Sequence, residues 1–229
     1  MEQLPKNATI DDAAGAASLA VAIAAPGTGG PAARFMETIL AVPTEARREK
    51  WIHEVAEVVM ELQKRIENFS LERLSRNDLF VTVTLEAAQI ACRNHHEEKL
   101  TALKHAVLHA ALPDGPGEQL QFMFLRFIDE MTPVHLAILA ILDNPPRWME
   151  QHGVVNPKWT AGSVSALIQY CVPPLRGQPE VSEQLVRDLQ ARGLLDPGQF
   201  LRTPTSEAGM MQSRTTAIGR VFLGYISEA

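Results

Sequence analysis

Cysteine is nearly missing from this chain. Cys92 and Cys171 are the only two in 229 residues, and they lie far apart in segments that read as helix. They can build neither a disulfide framework nor a zinc ladder, and a reducing cytoplasm follows as the expected compartment. Aromatics are scarce too, at 6%, although hydrophobic residues reach 46%, because alanine supplies much of the apolar count. No basic excess exists: 21 Lys and Arg stand against 27 Asp and Glu, for a net charge of -6. That removes the simplest signature of binding by phosphate neutralisation. A secretory signal needs a positive n-region, and Met1-Glu2-Gln3 is acidic. The uncharged run Ala13 to Ala25 has thirteen residues, short of the roughly 20 that span a bilayer.

Three regions separate on composition. Residues 1–43 form an Ala/Gly/Pro-rich apolar arm with six charged residues. Its apolar positions Leu19, Val21, Ile23, Phe35, Ile39 and Leu40 make residues 13–42 the candidate membrane or oligomer segment. Residues 44–130 carry eleven Lys and Arg against fifteen Asp and Glu and read as a bundle of about four helices. Trp51, Val55, Val58, Val59, Leu62 and Ile66 recur at helical steps after a cap at Thr44. Further helices are expected from Asn77 or Asp78 to Arg93, from His96 to Leu112, and from Glu118 to Glu130. The cluster Pro113-Asp114-Gly115-Pro116-Gly117 separates the last two.

Residues 131–229 have eight charges of each sign and a different rhythm. Thr132-Pro133 opens an apolar helix that ends at Asn144-Pro145-Pro146. A second helix runs from Ala161 to Cys171, and a third from Glu180 to Arg192 with Gly193 as its left-handed stop. Short strands are expected at Gln199 to Arg202 and near Met211 to Arg214, around a polar tip at Thr203 to Gly209. A capped helix follows from Thr215-Thr216. Three helices ending in LVRDLQARGLL, then a hairpin and TTAIGRVFLGYI, resemble a winged-helix module. The resemblance covers roughly the last hundred residues, and winged helices serve DNA binding, protein docking and plain structure. The whole chain is also similar to a loose group of uncharacterised bacterial helical proteins with a Gly/Ala/Pro-rich N-terminal stretch and a middle like EEKLTALKHAVLHAAL and TPVHLAIL. The expected fold class is mainly α: a helical bundle followed by a winged-helix-like domain with a small β-hairpin.

A winged helix on DNA would place its third helix in the major groove. Gln184 and Gln190 could then read adenine and Arg187 guanine, with Arg202 and Arg214 on the backbone, although Glu183 and Asp188 oppose phosphate. These five are the candidate nucleic-acid-binding residues. His105 and His109, four apart on one helical face, have a chelating spacing. Further ligands are not evident, and Ala106 stands where a zinc protease would carry glutamate, so no metal is expected. Gly27-Thr28-Gly29-Gly30-Pro31 lacks the lysine of a phosphate loop, and Gly162-Ser163-Val164-Ser165 lacks the second glycine of a nucleophile elbow. Neither a catalytic residue nor a cofactor is expected. The leading expectation is a non-enzymatic interaction or regulatory protein, with a protein partner or a second copy as its ligand. A DNA-binding regulator and a membrane-acting effector working through residues 13–42 are the alternatives.

Overall fold

In the computed structural model the described residues are 31–65, 70–196 and 201–227, with side chains described for 46–64, 70–196 and 201–227. The chain divides into two units, Met1–Lys50 and Trp51–Ala229. In the first, the described backbone is the beginning of α1 (Pro31–Arg65). The helix starts at Pro31, where a missing N–H costs nothing, and continues through Pro43, which the sequence reading takes as a boundary. Leu19, Val21 and Ile23 lie outside the described residues, as do the side chains of Phe35, Ile39 and Leu40.

Among the described residues the second unit holds the rest of α1, a 3-10 turn at Pro173–Leu175 and ten further α-helices: α2 (Leu71–Ser75), α3 (Asp78–Arg93), α4 (Glu97–Ala111), α5 (Glu118–Glu130), α6 (Pro133–Asp143), α7 (Pro145–Gln151), α8 (Val164–Cys171), α9 (Pro179–Ala191), α10 (Glu207–Met210) and α11 (Ala217–Tyr225). Local chemistry sets their starts. Ser70, Asn77, Asn144, Ser163, Ser206 and Thr216 each accept a hydrogen bond from a backbone N–H three residues on, satisfying an orphan donor of the first turn. The run Phe80 to Thr84, rich in β-branched residues, is helical as expected. Thr82 and Thr84 hydroxyls donate to carbonyls four residues back, so their polar groups are satisfied within the helix.

One apolar cluster fills this unit. Trp51, Val55 and Val59 of α1 are buried, and Lys104 of α4 reaches Glu54 at 2.9 Å. Helices α3, α4 and α5 pack on one another, α9 packs on α6 and α8, and α11 lies on α4 and α6. Four of the few aromatics meet where α11 closes the core. Phe124 sits 5.2 Å from Phe222 and 5.3 Å from Tyr225, and Phe127 meets Phe222 edge-on at 5.9 Å. At the C-terminal end of α5, buried Lys99 donates to the Asp129 carbonyl at 2.8 Å while Arg93 pairs with its carboxylate at 3.0 Å. Burial lowers the Lys99 pKa, against the pull of Asp129 and with the push of Arg93.

The expected β-hairpin is not formed among the described residues. Residues 197–200 lie outside them, and Arg202 is in a turn. Met211 to Arg214 follows α10, a helical turn nucleated by Ser206 within the expected polar tip. Two single antiparallel bridges, Gly162 with Thr205 and Leu195 with Thr215, lie outside both expected strands. The reason is side-chain chemistry. Arg214 turns inward and binds the carbonyls of Gly209, Met210 and Gln212, holding the chain coiled where a strand would be extended. Pro204, lacking an N–H, also interrupts any ladder.

Candidate functional site

Helix α9 and the segment after it bring together three of the five nucleic-acid candidates. Arg187, Gln190 and Arg202 line an open groove of about 710 Å³ with Glu183, Leu201, Thr203 and Pro204. The helix is amphipathic: Val186 and Leu189 turn inward, leaving Glu180, Gln184 and Arg187 outward. Leu201 borders the groove because its carbonyl accepts from the Ser165 N–H at 3.0 Å.

The electrostatics of this groove are internally satisfied. Arg202 is gripped by Glu183 and lies 3.2 Å from Glu180. Glu183, and after it Glu180, push the Arg202 pKa further up. Arg187 lies 3.3 Å from the same Glu183. Gln184 donates to Asp188 at 2.9 Å, and Gln190 donates to the Asp196 carbonyl at 2.9 Å. Two cations thus share their surface with Glu180, Glu183 and Asp188. A phosphate would have to displace carboxylates to reach either arginine, and it would gain little by counterion release.

Arg214 does not join the groove. It is buried, with 7% of its surface exposed, and its guanidinium holds the 209–212 turn. Desolvation by this burial lowers its pKa. The histidine pair is likewise absorbed. His105 Nδ1 is 2.7 Å from the Ile226 carbonyl, and His109 Nε2 is 3.4 Å from that of Ser227. Both close the C-terminus of α11, where carbonyls lack partners and the helix dipole favours a donor. Among the described residues no three His, Cys, Asp or Glu side chains converge as metal ligands. Burial pushes the Cys171 thiol up to about 11, which suppresses the thiolate that nucleophilic chemistry requires. Among the described residues no helix is long and apolar enough to cross a membrane.

A second surface was not singled out by the sequence reading. Phe124, Leu125 and Ile128 bury the inner side of α5. Its outer side carries Gln119, Phe122, Met123, Arg126, Phe127 and Glu130 around a groove of about 500 Å³. Phe122, Met123 and Phe127 remain half-buried there. Spacing alone could have found this stripe, since its members recur at three- and four-residue steps. Phe127 also packs against the core, edge-on to Phe222. Helices α3 and α11 also expose apolar pairs, Val81 with Leu85 and Ile218 with Val221.

No family model, curated protein or solved structure matches the chain.

Proposed function

We propose that this protein is a non-enzymatic, cytoplasmic interaction protein that acts by presenting a helical docking surface to another protein. The observation that carries the reading is the groove of about 500 Å³ along α5, edged by Phe122, Met123 and Phe127, which pack against the core and stay half-buried. Aromatic and methionine side chains are enriched where proteins meet.

The internal pairing of Arg187 and Arg202, and the burial of Arg214, favour a protein ligand over DNA. Fluorescence anisotropy of a labelled duplex at low and at physiological salt tests this. Binding is expected to be absent at both. Binding that weakens steeply with salt would move the function to Gln184, Arg187, Gln190, Arg202 and Arg214.

A further inference from the structure

We propose that the recess between the α6–α7 junction and the end of α11 binds a small zwitterion, an α-amino acid with an apolar side chain. Asp143, the last residue of α6, and Arg147 and Gln151 of α7 line this recess of about 260 Å³ with Ala140, Trp148 and Leu223. It shares no residue with the α5 groove, and the proposal does not depend on the docking reading.

Unpaired charge marks the site. In the groove on α9, Glu183 holds both arginines. Here, among the described residues, the side chains of Asp143, Arg147 and Gln151 make no ion pair or hydrogen bond, although Asp143 is half-buried. Asp143 and Arg147 therefore border one recess without pairing, and a ligand carrying both signs can bridge them. Folding accounts for neither charge. A carboxylate on the last residue of α6 faces the negative end of that helix dipole, and a cation in the first turn of α7 faces the positive end of its own. The other polar residues of the wall are already engaged. Asn144 accepts from the Arg147 N–H at 3.1 Å, and the Ser227 hydroxyl donates to the Leu223 carbonyl at 2.7 Å.

Chemistry and size then define the ligand. Arg147 can grip a carboxylate through two parallel N–H bonds, Asp143 can accept from an ammonium, and Gln151 can bond either group. The indole of Trp148 lies flat against His152, with ring centroids 3.9 Å apart and 13° between planes. It also packs on the core, which makes it a fixed apolar wall. Ala140 and Leu223 add an apolar lining that suits an aliphatic side chain. At about 30 Å³ per water the recess has room for about nine heavy atoms, the size of leucine. It is smaller than the roughly 300–1,000 Å³ of sites for drug-sized ligands.

Isothermal titration calorimetry of the full chain with L-leucine tests the site. N-acetyl-L-leucine, which lacks the ammonium, and L-leucinamide, which lacks the carboxylate, are titrated beside it. Saturable binding of L-leucine is expected, with each capped analogue at least about tenfold weaker. Arg147→Gln should weaken L-leucine about tenfold and leave L-leucinamide no weaker than before. Asp143→Asn should also weaken L-leucine about tenfold, and leave N-acetyl-L-leucine no weaker. A merely structural role for either residue would not produce this crossed pattern. Because neither side chain has a partner to lose, both variants should melt at or above the wild-type temperature by circular dichroism. The proposal is overturned if L-leucine up to about 10 mM gives neither saturable heat nor a rise in melting temperature. Equal affinity for all three ligands, or variants that bind like the wild type, would overturn it too.

Discussion

Arg214→Ala should destabilise the protein far more than any exposed arginine substitution. The guanidinium donates to the Met210 carbonyl at 3.1 Å, to that of Gln212 at 2.6 Å, and to that of Gly209. Hydrogen bonds to a charged group contribute about 1.5–3 kcal/mol each, so three give roughly 4.5–9 kcal/mol before offsets. Two offsets apply. Removing the side chain relieves the desolvation that lowers its pKa, and the exposed Gln212 can turn its carbonyl to water. A net loss of about 3 kcal/mol remains, which for a unit of this size lowers the melting temperature by about 6–12 °C. The backbone bond from Arg214 to the Leu142 carbonyl, 2.8 Å long, survives the substitution and isolates the side chain. Thermal melts followed by circular dichroism provide the assay. Arg202→Ala, altering an exposed ion pair, should melt with the wild type, and Arg214→Lys, which keeps the charge and loses the fork, should fall between. A wild-type melt for Arg214→Ala would refute the assignment of this arginine to structure.

Acid should weaken the α6–α9 contact through His135. Its Nδ1 accepts from the Thr132 N–H at 3.1 Å, and Asp188 stands 3.5 Å from Nε2. Burial lowers the His135 pKa below 6.5, opposed by Asp188 and aided by Arg192. Its contribution is therefore complete above about pH 6.5 and is lost as pH falls through the depressed folded-state value. His135→Gln keeps an acceptor for Thr132 and should flatten the drop in denaturant midpoint between about pH 7.5 and pH 5; equal drops would count against the account. Two glycines of α11 should behave oppositely. A Cβ at Gly219 would strike the Leu194 carbonyl and the Thr215 methyl, whereas Gly224 faces open space. Gly219→Ala should cost about 1–3 kcal/mol by overpacking, while Gly224→Ala should gain up to about 1 kcal/mol of helix propensity. Denaturant titrations giving the reverse order would contradict the packing described for α11.

The helical fold was legible because its signals are local. Thr132-Pro133, Asn144-Pro145 and Gly193 mark boundaries through their own backbone chemistry, and Gly193 does adopt a left-handed φ of 72°. Asn144-Pro145-Pro146 also shows how such a signal divides in meaning. The sequence reading takes it as the end of a helix, yet Asn144 at once caps α7 by accepting from the Arg147 N–H. The hairpin was misread because what replaces it is long-range or depends on burial. Nothing in the spacing of Arg214 says that it turns inward, and the same holds for Arg202, whose carboxylate partners lie 19 and 22 residues away. The candidate site was partly legible. Arg187, Gln190 and Arg202 do share a groove, but their neutralisation depends on which acids the tertiary fold brings beside them. His105 and His109 illustrate the same limit, since their spacing suits a metal and their actual acceptors come from the other end of the chain.

The contact between His105 and Ile226 joins residues 121 apart in sequence, and the aromatic seam around Phe124 closes with the same helix. That gives the order of synthesis a physical consequence. At roughly 5–20 residues per second, a growing chain takes about 6–24 s to supply α11 after His105 has been made. Through that interval α4 and α5 can form as local helices while Phe124 waits, wet, for its cover. Folding of this unit is thus expected to finish only once α11 has been made, and the exposed seam makes the nascent chain a natural client for a chaperone.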